Sequence, residues 1–360
     1  MHRILESIRR AIRNAFPIVV PSGREGYIRL DLNETPEPHD GAFLRKLKQF
    51  GSFTIEAYPE YDALYAELAK YTRVPRENIC IFNGSDNAIE LLLSLFFKKN
   101  DRVVMAEPTF FVYRHILTLL EAKIASIAIT ESNGDAVFPT KELLAALTPK
   151  TKGLLLCNPN NPTGTVIPKE DLELLIKKTH RLGIPLIIDE AYYEYCKISA
   201  LPYLKQYKNI VVIRTFSKAF GLAGLRIGYV VAEKRLIKEL IKLKLPWSVS
   251  HFSAHAAKIA LQHRTIFNQK LTSFKKRKKE FEAFLKEAGI PFYRSKGNFL
   301  LCKINNPERF YTQMKKRGIL VGKAYALRPE FEVLKNAIRM NIPPKKAFKE
   351  VTRIIRETIK

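Results

Sequence analysis

The strongest constraint on this chain's fold is an alternation. Short apolar runs, NICIF at 78–82, RVVMA at 102–106, KIASIAI at 123–129, GLLLC at 153–157, PLIIDEA at 185–191 and NIVVIR at 209–214, are separated by stretches of helical spacing such as AIELLLSLFF, VYRHILTLLEA and KEDLELLIKKTHRLG. A strand with one wet face alternates apolar and polar side chains, whereas a continuously apolar strand must be covered on both faces. Strands of that kind joined by helices pack as a mainly parallel sheet between helical layers, which predicts an α/β fold. The pattern defines a large domain over residues 41–260. Beyond a long basic helix near 264–289 it changes to GNFLLCKI, GILVGKAY and AIRMNI with flanking helices, which predicts a smaller C-terminal α+β domain over 261–360. Residues 1–40 are expected to form an N-terminal arm that joins the smaller domain. No internal repeat is present.

Charge is the unusual bulk property. The 360 residues carry 61 Lys and Arg against 35 Asp and Glu, a formal charge of +26. Such an excess favours anionic partners. Its distribution points elsewhere: the lysines of IKKTHRL, IKELIKLK and FKKRKKEFEAFLKE alternate with Ile, Leu and Phe at helical intervals, as on solvated helix faces. No nucleic-acid partner is expected. Cys80, Cys157, Cys196 and Cys302 are widely spaced, with no CxxC pair and no clustered histidines, so no metal is expected and a reducing cytoplasm fits. No apolar run is long enough to be a transmembrane segment. The opening MHRILESIRRAIRNAF places Ile4, Ile8, Ile12 and Phe16 at i, i+4 spacing, an amphipathic helix expected to pack on the protein itself or on a second copy.

In an open α/β sheet, ligands sit where strands end and helices begin. Between CIF and AIELLL, the residues Asn83, Gly84, Ser85, Asp86 and Asn87 combine a glycine, a hydroxyl and the free amides of a new helix. These are the parts of a phosphate seat, although Ser and Asp are also ordinary N-caps. NPNNPTG at 158–164 has two Asn-Pro steps that fix a rigid turn and give Asn161 a definite direction. PLIIDEA ends a buried strand on Asp189, and a buried carboxylate needs a cationic partner.

The stretch TFSKAFGLAGLR, 215–226, sets Lys218 among small and apolar residues just past another strand. Desolvation lowers a lysine's proton affinity and makes it an amine nucleophile, whose natural electrophile is an aldehyde. If the aldehyde is pyridoxal 5'-phosphate, Asp189 pairs with the pyridinium nitrogen, and Ser85, Ser217 and Arg226 hold the phosphate.

The set NGSDN, NPNNPTG, IIDEAYYEY and TFSKAFGLAGLRIGY, in this order, resembles the fold-type I, class I/II pyridoxal-phosphate aminotransferases, and among them the histidinol-phosphate aminotransferase branch. The likeness runs from LDLNETP at 30–36 to AIRMNI at 337–342. It implies that Lys218 binds the cofactor and shuttles the substrate Cα proton, and that Asp189 keeps the ring nitrogen protonated. Asn161 and Tyr192 would bond the 3'-oxygen, and Phe110 would stack on the ring unless it is a core phenylalanine. Gly84, Ser85, Asp86, Thr215, Ser217 and Arg226 would surround the phosphate. Tyr58 would reach the neighbouring subunit's phosphate, which implies a homodimer with shared sites. Arg339 would clamp the substrate carboxylate, with Asn33 and Arg328 as further substrate contacts. The substrates would be an amino acid, glutamate foremost, and a keto acid.

The sequence departs from the branch at ILVGKAYALR, 319–328, where a basic residue after ILV is displaced to Lys323 or Arg328. PWSVSHFSAHAA at 246–257 is similar to the threonine-phosphate decarboxylases, which keeps decarboxylation of a phospho-amino acid as the alternative reaction.

Overall fold

The computed structural model describes residues 8–35, 37, 39, 41–48 and 53–359. Seven strands form the central sheet: β1 (Ile79–Phe82), β2 (Arg102–Glu107), β3 (Lys123–Ala128), β4 (Thr151–Cys157), β5 (Leu186–Asp189), β6 (Ile210–Thr215) and β7 (Gly228–Ala232). Their spatial order is β1-β7-β6-β5-β4-β2-β3. The pairings among β3, β2, β4, β5 and β6 are parallel, and β7 runs antiparallel to both its neighbours. This is the α/β sheet that the apolar runs predict.

The reason the strands read as continuously apolar is visible in the packing. Val104, Leu154, Leu156, Ile188 and Val212 enter the core on one face, while Val103, Met105, Leu155, Ile187, Val211 and Ile213 enter the core on the other. Successive residues alternate sides, as strand geometry demands, and both sides are dry. Truncating any one of these leucines to alanine removes about 2–5 kcal/mol of stability.

The parallel strands present their C-terminal ends along one edge. Register pairs Cys157 with Asp189 and Asp189 with Ile213, so the ends of β4, β5 and β6 lie side by side, with Glu107 closing β2 nearby. The chain turns that follow those ends are the ones whose residue types stand out in the sequence.

The helix Arg264–Glu287 leads from the sheet to a separate apolar core built on Phe281, Phe284, Leu285, Leu300, Cys302 and Met340. There Phe299–Lys303 pairs antiparallel with Ala337–Asn341, and Ile28–Leu30 pairs parallel with Ile319–Val321. The pairing brings residues 31–35 across toward the sheet. Of the expected amphipathic helix through Phe16, Ile4 lies outside the described residues; among the described residues helix covers Arg10–Arg13 and Phe16 is 88% exposed. Arginines fill that turn and no buried apolar residue anchors it.

Candidate active site

Asp189 ends β5 and is 3% exposed. Tyr113 Oη donates to its Oδ2 at 2.6 Å, and the Ala191 N–H donates to Oδ1 at 2.9 Å. Among the described residues, no lysine, arginine or histidine nitrogen lies within 4.0 Å of this carboxylate. Burial pushes its pKa up to about 6, against the two hydrogen bonds. The fold thus keeps a buried acid whose cationic partner is not a side chain.

Lys218 lies three residues beyond the end of β6. Its Nζ donates to the Leu32 carbonyl at 3.1 Å. Burial, then the charge of Arg339, bring its pKa down to about 8, with Asp86 and Glu34 opposing. The Thr35 hydroxyl donates to the Lys218 carbonyl, and a His39 ring nitrogen lies 3.0 Å from the Gly221 carbonyl, so Thr35 and His39 both tie to the lysine's own loop.

Tyr192 is buried, and its Oη accepts from Asn33 Nδ2 at 2.8 Å. Arg339 donates to Asn161 Oδ1 and to the Asp31 carbonyl, both at 2.5 Å. Two buried polar atoms remain without a partner here, Asn33 Oδ1 and Arg339 Nε. A buried polar atom left unbonded costs about 1–3 kcal/mol, so a pair of them lining one cluster marks a place for a polar ligand.

A second corner is built from two turns that the sequence separates by 140 residues. The helix Gly84–Phe96 begins at Gly84, so Ser85, Asp86 and Asn87 belong to its first turn, ahead of the helical spacing at AIELLL. Arg226 Nη2 bonds Asp86 Oδ2 at 3.0 Å, and its Nη1 reaches Ser217 Oγ at 3.4 Å. Thr215 Oγ1 accepts from the Ser217 N–H at 3.1 Å. Gly84 has φ +80°, and a Cβ there would lie 2.6 Å from Arg226 Nη2. At Gly228, a Cβ would lie 2.7 Å from the Ser85 amide nitrogen, so this glycine lets β7 run against the helix N-terminus. A helix N-terminus, two hydroxyls and a guanidinium gather in one corner, beside the Asp86 carboxylate that Arg226 holds; these donors can receive a phosphate dianion.

Phe110 is half-buried and meets Tyr113 edge-on, ring centroids 5.6 Å apart. Three expected residues lie apart from the cluster. Tyr58 is 73% exposed and stacks on Trp247 at 4.3 Å. Arg328 Nη1 bonds Glu107 at 2.9 Å and its Nε bonds Glu330. Lys323 bonds Glu308 at 3.2 Å and sits 4.0 Å from the Tyr311 ring centre.

Tyr113 and Asn160 were not singled out in the sequence. Asn160 Nδ2 bonds the Pro108 carbonyl and Thr163 Oγ1, and its Oδ1 accepts from Thr109, which fixes the turn that carries Asn161. Tyr113 was hidden in a helix read only for apolar spacing. Its position one turn after Phe110 places both on one helix face, and that is the signal that finds it.

The sequence matches the family model of aminotransferases class I and II over residues 30–356. The chain belongs to the class I and II aminotransferases. It is 34% identical over 296 residues to the histidinol-phosphate aminotransferase of Caldanaerobacter subterraneus subsp. tengcongensis, covering 81% of this chain and 83% of that one. It is 29% identical to the enzyme of that name from Ruminiclostridium cellulolyticum, covering 94% of each chain. The fold matches the crystal structure of histidinol-phosphate aminotransferase from Sinorhizobium meliloti in complex with pyridoxal-5'-phosphate, with TM-score 0.87, 22% identity and 98% and 97% coverage.

This aminotransferase is therefore a pyridoxal-phosphate-dependent transaminase. The residues present fit the cofactor on three structural grounds. The buried Asp189 has no side-chain cation, the Gly84–Arg226 corner admits no Cβ, and Asn33 Oδ1 and Arg339 Nε await partners. Among the described residues, no helix is long and apolar enough to cross a membrane.

Proposed function

We propose that this aminotransferase exchanges an amino group between L-glutamate and a phosphorylated keto substrate of the imidazole acetol phosphate type, with histidinol phosphate as the matching amine. The observation that carries the reading is the single cluster in which Lys218, Tyr192, Asn33, Asn161 and Arg339 converge around residues 31–33, with Asp189 near enough to feel the charge of Lys218. Relatives bearing the histidinol-phosphate aminotransferase name over most of their length support the substrate.

When bound, pyridoxal phosphate supplies an aldehyde and an electron-withdrawing ring that acidifies the substrate Cα–H bond. The roles of the chain's own residues follow from their settings. A lysine with a pKa near 8 is partly neutral at physiological pH, so Lys218 Nζ serves first as nucleophile and then as the base that takes the Cα proton. Asp189 holds a proton on the ring nitrogen, since a buried carboxylate loses its desolvation cost when it faces a cation. Tyr192 Oη and Asn161 bind the 3'-oxygen, and Phe110 packs on the ring. Gly84, Ser85, Asp86, Thr215, Ser217 and Arg226 bind and orient the phosphate. Arg339 grips the substrate carboxylate with its unpaired Nε and one Nη, and Asn33 Oδ1 accepts from the substrate or the 3'-oxygen network.

Arg328 already holds Glu107 and Glu330, carboxylates with which a substrate phosphate would compete for it. The exposed Tyr58–Trp247 stack supports a homodimer in which Tyr58 serves the partner's site. A cytoplasmic location and a biosynthetic role accompany this reading.

The test is steady-state transfer from L-histidinol phosphate to 2-oxoglutarate, followed by glutamate formation, beside histidinol and O-phospho-L-threonine with carbon dioxide detection. Glutamate formed from histidinol phosphate alone supports the reading. Transfer from unphosphorylated histidinol at equal kcat/KM, or carbon dioxide release from phosphothreonine, replaces it with another substrate or with decarboxylation.

A further inference from the structure

A cleft of about 1230 Å³ opens away from the active site, and none of Lys218, Asp189, Asn161, Arg226 or Arg339 lines it. Its walls come from the end of the helix Asp62–Thr72, the start of the helix Lys169–Arg181, the segment 193–208, and Arg264. Eight basic side chains line it, against one acidic side chain, Glu173. Across the whole chain the ratio is 61 to 35, so the general lysine excess does not account for this concentration.

The pairing of these cations is the second observation. Arg73, Lys169, Lys197, Lys205, Lys208 and Arg264 have no carboxylate oxygen within 4.0 Å among the described residues. Only Lys70, with Glu67, and the buried Arg214, with Glu190, are neutralised inside the protein. The single lining acid is itself engaged, because Glu173 accepts from the Tyr203 hydroxyl at 2.6 Å. Aromatic faces interleave the cations: Arg214 lies 3.5 Å and Lys197 5.1 Å from the Tyr193 ring centre, and Arg264 lies 5.7 Å from that of Tyr71. Like charges gathered round a concave wall repel one another and raise the local potential, which a multiply charged anion relieves. The cleft is somewhat larger than the about 300–1,000 Å³ of a usual small-molecule site, yet it is one concavity and not an extended track for a polymer.

We propose that this cleft is a second ligand site, for a compact oligophosphate anion such as a nucleoside triphosphate or inorganic tripolyphosphate. It adjoins the catalytic elements from behind. Arg214 immediately precedes Thr215 at the end of β6, and Tyr193 immediately follows Tyr192.

The experiment uses the cofactor-loaded enzyme, so that the catalytic phosphate seat is filled. Calorimetric titration at physiological salt with sodium tripolyphosphate, ATP and AMP is repeated on Lys205→Glu/Lys208→Glu, a pair of exposed residues outside the catalytic machinery. Tripolyphosphate and ATP are expected to bind at least about tenfold more tightly than AMP, because affinity follows the number of phosphate charges met. The double variant is expected to weaken both by at least about tenfold while its transaminase kcat and its melting temperature without ligand stay unchanged. A further single-site reversal, Arg73→Glu, lies on a different wall and should weaken binding in the same direction. ATP binding tighter than tripolyphosphate identifies a nucleotide as the source, and equal affinities identify the phosphate chain alone. Absence of measurable binding at millimolar tripolyphosphate overturns the proposal. So does binding that survives both sets of reversals, or an oligoribonucleotide that binds more tightly than either compact anion.

Discussion

Replacing Asp189 by asparagine in the cofactor-free protein separates the cost of this acid from its use. The folded protein raises the group's pKa from 3.8 to about 6 by burial. A group whose folded pKa is raised contributes stability fully below the unfolded pKa and loses it as pH rises through the folded one. At pH 7.5 the ionised, buried Asp189 therefore costs about 3 kcal/mol, from ~2.2 pKa units at ~1.36 kcal/mol each. At pH 5 the same relation leaves roughly half of that. Asp189→Asn carries no charge to desolvate and keeps an acceptor for Tyr113 or the Ala191 amide. Without cofactor the variant should melt about 4 °C above the parent at pH 7.5, taking ~1.3 °C per kcal/mol for a chain of this size, and about 2 °C above it at pH 5. Saturating pyridoxal phosphate should reverse the order, since only the carboxylate gains from a cation on the ring nitrogen. Melting curves at both pH values, with and without cofactor, make the assay. A cofactor-free variant that melts below the parent at pH 7.5, or a difference that grows at pH 5, would show that the buried Asp189 charge does not carry this cost.

Other consequences are as direct. Competitive acylation of the cofactor-free protein, read by mass spectrometry, should give Lys218 a midpoint near pH 8, below the ordinary lysine value of 10.5; at pH 7.5 that is about 200-fold more neutral amine than an ordinary lysine carries. Gly84→Ala drives a Cβ against Arg226 from a backbone with φ +80°, so it should cost about 1–3 kcal/mol of stability and weaken cofactor binding in equilibrium dialysis. Tyr113→Phe removes a bond to a buried carboxylate, worth about 1.5–3 kcal/mol, and should lower cofactor affinity at least about tenfold while kcat at saturation falls less. Arg339→Lys loses the planar fork and should raise KM for the amino donor at least about tenfold with cofactor uptake unchanged.

The main part of this architecture was legible because β2, β4, β5 and β6 are buried on both faces and so leave unbroken apolar runs. The direction of β7 was not legible, because GYVVA is as apolar as its parallel neighbours and strand polarity leaves no mark in such a run. The chemistry-bearing turns could be read because burial of Asp189 and isolation of Lys218 are choices of residue type, visible one position at a time. What the sequence hid was pairing across the chain. The resemblance offered Lys323 or Arg328 as the displaced basic residue, and nothing local announced their bonds to Glu308 and Glu107. Asn33 gave no local signal for its bond to Tyr192, 159 positions away. The boundary at Gly84 was placed too far along the chain because SDN reads equally as a turn and as a first helical turn.

On the mechanism proposed above, Lys218 removes the Cα proton of an amino donor in a transaminase site. The most direct test of this step is a single turnover: enzyme loaded with pyridoxal phosphate and freed of excess is mixed with L-[2-²H]glutamate or its protium form, with no keto acid present, and released 2-oxoglutarate is counted. One equivalent of 2-oxoglutarate per site, formed more slowly from the deuterated donor and not formed at all by Lys218→Ala, is the predicted result. A loaded parent enzyme that yields no 2-oxoglutarate, or a Lys218→Ala variant that yields it at the parent's rate, contradicts the claim.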